Sequence, residues 1–282
     1  MSGGVNMHVY ALDFDDPAQD RVIKVAGTDR WQPWAVLDEI AAMRALRTQG
    51  IHEVAEIEKT HEDLGWTTLP FLVTRRIRPG MMIENHLGPD DPDAERIWRK
   101  AGALRARLGQ VDWQCTTHTL TPRQAAEQIV RFVGYDRQTL AEMSEYVGVF
   151  DALFDAVTEL AVAEGHYFGQ GDSSEILTDG DDGLALVDFS GFVGAHRRLR
   201  ELGLINGRVR FRYGGDPRVP TWHEEGFFAG EAVTHEMRQE LTIWEIYSLV
   251  ADAGWLTNLG RVDECRRQLK FAQGQLETLR PE

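Results

Sequence analysis

Cysteine is scarce in this sequence. Cys115 and Cys265 stand far apart, in no Cys-x-x-Cys pair and beside no histidine pair. This excludes a disulfide scaffold and a zinc knuckle, and it fits a reducing compartment. Long apolar runs are missing too: no stretch of roughly 18 apolar residues exists to span a bilayer. Positive charge is in deficit, with 30 Lys and Arg against 45 Asp and Glu, a net −15 that repels nucleic acid. The opening MSGGVNMHVYALDFDD has neither a basic n-region nor an apolar h-region, so no secretory signal is expected and the cytoplasm is the expected compartment. There is no HExxH and no GxSxG, and the nine histidines show no ligand spacing. Internal repeats and low-complexity linkers are also lacking, which removes solenoid and tethered-domain architectures.

What remains is a chain long enough, at 282 residues, for one large domain or two lobes. Its first part mixes strand and helix. HVYALDF and RVIKVA flank the turn-prone DDPAQD and read as an antiparallel hairpin. WAVLDEIAAMRALRTQG follows, with Val36, Ile40 and Met43 at helical spacing and Gly50 where a stop belongs. VAEIEKT and LPFLVTRRI are two further strand candidates, closed by the breaker Arg78-Pro79-Gly80.

Beyond Gly80 the texture is helical. PDAERIWRKAGALRARLGQ, TPRQAAEQIVRFVGY and EYVGVFDALFDAVTELAVAEG carry apolar residues three and four apart, and Thr121 with Pro122 predicts an N-cap and first helical position. EILTD and LALVDF then predict a second hairpin around DGDDG. The tail, HEMRQELTIWEIYSLVADAGWL and VDECRRQLKFAQGQLETL, returns to amphipathic helix. The expected class is α+β, with a small β-rich lobe over residues 1–78 and a larger helical lobe over 79–282 that carries the second hairpin.

Four separated features suit phosphoryl transfer: a glycine turn, Ser2-Gly3-Gly4-Val5-Asn6; a lysine within an apolar strand, Lys24; a glutamate on the next helix, Glu39; and an acidic hairpin ending in Asp188-Phe189. Glycines let backbone N–H groups approach phosphate closely. Lys24 inside RVIKV needs a partner for its ammonium. A buried strand that ends in an acid has no packing reason to do so. In this order the features resemble the aminoglycoside phosphotransferase and choline kinase-like family, distant relatives of the protein kinases, and the likeness in element order runs over nearly the whole chain. The resemblance implies a bilobal protein-kinase-like fold that binds ATP or another nucleoside triphosphate with Mg²⁺ and transfers the γ-phosphate to a hydroxyl. It implies that Gly3 and Gly4 cover phosphate, that Lys24 holds the α/β-phosphates, that Glu39 orients Lys24, and that LPFLVTRRIRPG connects the lobes and offers backbone to adenine. It also implies that Asp188 binds metal.

The family's His-Gly-Asp motif, four residues before a metal-binding Asn, is altered here. Counted back without a gap, Phe168-Gly169-Gln170 falls on it and Glu175 falls on the Asn. Gln170 would then hold the base position, although an amide cannot take up a proton and a positioned base contributes about 10²–10⁴-fold. With a two-residue gap, Gln170-Gly171-Asp172 is the match and Asp172 is the base, but two extended residues span roughly 7 Å and the loop must re-form. Both alignments keep Glu175 as a metal ligand, and a carboxylate is a hard oxygen donor for Mg²⁺. A phosphotransferase with an atypical loop and a pseudokinase that serves as a binding or scaffolding subunit are both open.

One window reverses the charge balance. Ala195 to Arg218 holds seven arginines against Glu201 and Asp216, and Arg208, Arg210 and Arg212 alternate as they would on one face of a strand. Such a face would suit an acidic peptide or a protein partner over Arg197–Arg218. Alternatively these arginines pair with carboxylates elsewhere, and Glu224, Glu225, Glu231, Glu236 and Glu240 form an acidic wall for a small cationic acceptor. Trp31, Trp34 and Trp222, the last in the loop after this window, read as hydrophobic anchors.

Overall fold

The structure is a computed structural model that describes residues 7–26, 32–62, 69–111, 121–163, 167–169, 175–180, 183–187, 189 and 195–278. In chain order the elements are β1 (Met7–Leu12), β2 (Arg21–Ala26), α1 (Gln32–Thr48), β3 (Ile57–His61), β4 (Phe71–Arg75), β5 (Pro79–Met82), α2 (Ile83–His86) and α3 (Ala94–Leu108). They continue with α4 (Pro122–Ala141), α5 (Asp151–Val162), β6 (Tyr167–Gly169), β7 (Glu175–Asp179), β8 (Gly183–Val187), β9 (Ala195–Arg197), α6 (Arg200–Arg212), α7 (Arg218–Phe228), α8 (His235–Asn258) and α9 (Val262–Thr278). No helix among the described residues is long and apolar enough to cross a membrane.

Contacts divide the chain into two compact units. One comprises residues 1–86, 107–120 and 168–195; the other comprises 87–106, 121–167 and 196–282. The first therefore includes the β7–β8 hairpin, which the expected boundary after residue 78 assigned to the later lobe. The reason is backbone pairing. β7 pairs with β5, the Gly180 N–H donates to the Arg78 carbonyl at 2.6 Å, and the Leu186 N–H donates to the Glu53 carbonyl at 2.8 Å.

In the first unit β1 to β4 form an antiparallel sheet in the order β1-β2-β4-β3. The β1–β2 hairpin forms as its sequence predicts, in register from Met7 opposite Ala26 to Leu12 opposite Arg21. Val36, Ile40 and Met43 form the buried face of α1. Gly50, at φ +84, ends the helix in a left-handed turn that costs other residues steric strain. The turn between β1 and β2 is tied to the segment after β4: buried Asp20 accepts from the Phe14 N–H at 2.8 Å and from the Arg78 guanidinium, while Arg76 pairs with Asp13. That backbone bond and the Arg78 guanidinium hold the Asp20 carboxyl below its ordinary value.

The second unit is helical. α4 starts with the predicted cap: the Gln124 N–H donates to Thr121 Oγ1 and the Thr121 N–H donates to Gln124 Oε1, a reciprocal pair that satisfies two open donors. Its core gathers Phe150, Phe154, Leu202, Trp244, Val250 and Leu269, and burying each large side chain stabilises by about 1.5–3 kcal/mol. Glycines bring two helix pairs unusually close. A Cβ on Gly203 would stand 2.4 Å from Trp244 Cβ, and one on Gly226 2.0 Å from the Arg99 carbonyl oxygen, so α6 meets α8 and α7 meets α3 along backbone.

Candidate functional site

Lys24 sits in the interior of the first sheet, with Val9 of β1 on one side and Leu72 of β4 on the other. An ammonium on a strand whose neighbour Leu72 is fully buried loses hydration unless a counter-charge replaces it. The counter-charge comes from α1. Glu39 lies on the same inward face as Val36, Ile40 and Met43, only 2% exposed, and its Oε1 accepts from Lys24 Nζ at 2.5 Å. Its second oxygen, Oε2, is buried and has no hydrogen-bond partner among the described residues. The Lys24–Glu39 pairing that the resemblance implies is thus present as a partly buried ion pair.

The acidic hairpin forms between the predicted strands. β7 and β8 pair from Glu175 opposite Val187 to Asp179 opposite Gly183. Val187 is bonded to Asp188 in the chain, so the register brings the backbone of one predicted metal ligand opposite the residue that precedes the other. Buried Ile176, Ala185 and Leu186 anchor the strands, buried Phe189 follows Asp188, and Arg75 of β4 pairs with Asp179 at 2.6 Å. Gly3, Gly4, Gln170, Asp172 and Asp188 lie outside the described residues, as does the side chain of Glu175. Among the described residues no group of three or more His, Cys, Asp or Glu side chains could hold a metal ion.

The arginine window is corrected by the structure. Residues 200–212 form helix α6, not a strand, so Arg208 and Arg212 share a face while Arg210 points roughly 200° away from each. Arg210 pairs with Glu245 at 3.3 Å, Arg197 with Glu240 at 2.5 Å, Arg200 with Glu201 at 2.5 Å, and Arg198 with Glu231. Arg218 bridges Asp90 and Asp216. Of the glutamates expected to line a wall, Glu231 and Glu240 are in these pairs, Glu224 pairs with Arg238 and Glu225 with Arg99. Trp222 lies on helix α7, where the sequence suggested a loop.

Sequence reasoning missed a buried polar cluster in this second unit. His223 Nδ1 and Asn206 Oδ1 are 2.8 Å apart, and Asn206 Nδ2 donates to Glu224 Oε1 at 3.2 Å. Burial lowers the His223 pKa well below its ordinary value and raises that of Glu245 to about 7. No motif announces the cluster, because its members come from three helices.

The sequence matches no protein-family model and no curated protein. Solved structures do match. A GDP complex of wild-type aminoglycoside 2'-phosphotransferase-IIIa superimposes with TM-score 0.61 at 10% identity, over 98% of this chain and 90% of that one. An aminoglycoside phosphotransferase from Alicyclobacillus acidocaldarius gives 0.57 at 14% identity, over 98% and 90%. Plasmodium vivax ethanolamine kinase gives 0.57 at 12%, over 96% and 80%. The chain has the aminoglycoside phosphotransferase fold. In this kinase-like fold the Lys24–Glu39 pair and the β7–β8 hairpin both fall in the first unit.

Proposed function

We propose that this protein is a nucleotide-dependent phosphotransferase that moves the γ-phosphoryl group of ATP, or of another nucleoside triphosphate, to a hydroxyl of a small molecule or peptide. The observation that carries this reading is the ion pair of Lys24 with buried Glu39, set in the aminoglycoside phosphotransferase fold. A fold neighbour solved with GDP supports a nucleotide site. Glu39 fixes the Lys24 ammonium, which then meets the α/β-phosphates without further ordering, and such positioning is the main protein contribution to phosphoryl transfer. Glu175 and Asp188 fit a divalent cation in donor chemistry: both are hard carboxylates, Glu175 begins β7 opposite Val187, and Asp188 is the next residue in sequence. A bound Mg²⁺ would neutralise charge on the β- and γ-phosphates. The acceptor oxygen forms the new bond to the γ-phosphorus as the bond to the β–γ bridging oxygen breaks. Asp172 takes the acceptor proton if it holds the base position; with Gln170 there, the proton leaves to solvent and turnover is slower.

The test is ADP release across a panel of hydroxyl acceptors. Acceptor-dependent release that disappears in Asp188→Ala supports the reading. Gln170 favours a second one, a pseudokinase that binds nucleotide and acts as a subunit of another enzyme. Mg·ATP binding without turnover on every acceptor would select it. The pairing of Arg197, Arg198, Arg200, Arg210 and Arg218 with nearby carboxylates leaves the arginine window a weaker argument for a protein partner than the sequence alone suggests. A folded protein with no Mg·ATP-dependent thermal shift would sink both.

A further inference from the structure

The first sheet of the first unit has two apolar faces, and α1 covers one of them. Antiparallel strands with one face in water alternate apolar and polar residues, yet β2 reads RVIKVA and β4 reads FLVTR, with little alternation. α1 meets the face that carries Lys24 and fully buried Leu72. On the reverse face the register lines up two rows: His8, Val25, Phe71 and His61, then Tyr10, Ile23, Val73 and Lys59. His8 lies 6.5 Å from Tyr10, and His61 stacks on Phe71 at 5.8 Å, ring centre to ring centre. No residue of either row is buried, and Tyr10 is 54% exposed. A third row, Leu12, Arg21 and Arg75, forms a rim whose arginines are held by Glu58 and Asp179. The first two rows contain no acid, in a chain with 45 Asp and Glu.

We propose that this face binds a second copy of the same chain, as a weak two-fold dimer. The rows favour a copy over another partner because each complements its own reverse. A two-fold axis along the strands lays β1 over β3 and β2 over β4 of the second copy, so that Phe71 meets Val25, Ile23 meets Val73 and Tyr10 meets Lys59. Each bulky ring then faces a slimmer side chain, and the Lys59 ammonium lies over the Tyr10 ring as a cation–π pair. Charge agrees with this choice. Copies that each carry a net −15 repel, and they approach most readily through two rows without carboxylates. Strands about 4.8 Å apart and three rows of side chains give each copy a footprint of roughly 20 Å by 20 Å, or about 400 Å². A standard interface buries about 800 Å² per partner, so the association is weak and the monomer predominates when dilute. This face is the reverse of the one that carries Lys24, so the inference does not rest on the proposed phosphotransfer.

The experiment is sedimentation velocity of the full chain from low to high micromolar concentration, in low and in high salt. A dimer grows with concentration and grows further in high salt, which screens the repulsion between acidic copies and spares apolar contact. Tyr10→Lys sets like charge against Lys59 of the second copy and weakens the dimer about tenfold or more. Adding Lys59→Glu restores a charge pair across the axis and with it most of the association. Both positions are exposed, so melting temperatures stay close to the parent's. A chain that stays monomeric throughout overturns the proposal and leaves another protein as the occupant of the face. A dimer that high salt dissolves, one that Tyr10→Lys leaves unchanged, or one that Lys59→Glu fails to restore overturns it as well.

Discussion

Lys24 and Glu39 are each costly alone and stable together. Removing one partner leaves the other charge buried, and such a loss is worth about 3 kcal/mol or more. Lys24→Met is therefore expected to destabilise the protein by about 3 kcal/mol in urea unfolding and to abolish the Mg·ATP thermal shift. Adding Glu39→Leu recovers most of the stability and none of the shift, which separates the structural role of the pair from its nucleotide role. Equal recovery of both would mean that Lys24 never touches phosphate. Asp136 offers a second single-residue test. It is buried, accepts from the Tyr247 hydroxyl at 2.9 Å, and burial, with Asp252 nearby, pushes its pKa to about 7. Because the folded value exceeds the unfolded one, the unfolded chain loses this proton first. The group then costs stability increasingly as pH rises from about 4 to about 7. Asp136→Asn keeps an acceptor for Tyr247 and removes the titration, so its advantage over the parent should be nil near pH 4 and greatest at pH 7, read from melts across that range. A difference independent of pH would refute the assignment.

Helices show why propensity is a weak guide here. Gly203 and Gly207 lie in α6 with Asn206, three poor helix formers in thirteen residues. They are tolerated because α8 packs where a Cβ would be, 2.1 Å from the Glu245 carbonyl oxygen in the case of Gly207. Gly134 in α4 has nothing within 4 Å of the same position. The same substitution should therefore have opposite signs. Gly203→Ala is expected to cost about 1–3 kcal/mol through overpacking, and Gly134→Ala to gain up to about 1 kcal/mol from helix propensity. Chemical denaturation of the two variants decides, and a Gly203→Ala protein as stable as its parent would mean that α6 and α8 are not in backbone contact. Helix α7 was hidden for a related reason. Trp222 read as part of a loop, yet Pro220 falls in the first helical turn, where a missing N–H is harmless, and Gly226 makes room for the Arg99 carbonyl of α3.

At the scale of the molecule, the Lys24–Glu39 pair and the β7–β8 hairpin belong to one contact unit although they stand far apart in sequence. Nucleotide should consequently act on that unit. Hydrogen exchange with Mg·ATP is expected to slow in β2, α1, β7 and β8 and to stay unchanged in α4, α5 and α9. Protection confined to the second unit would place the nucleotide elsewhere.

Local pattern alone determined the β1–β2 hairpin, the face of α1, the Thr121 cap and the β7–β8 hairpin, because each depends on residues within one or two turns or strands of one another. The order of Lys24, Glu39, Glu175 and Asp188 along those elements was equally legible. Only tertiary structure decided that Arg208, Arg210 and Arg212 belong to a helix, since an i, i+2, i+4 spacing suits a strand face and, for its outer pair, a helix face as well. It also decided which charges meet: Arg197 finds Glu240 and Arg210 finds Glu245 across 43 and 35 residues of chain. No local periodicity encodes such pairs, because opposite charges attract wherever the packing of apolar faces delivers them.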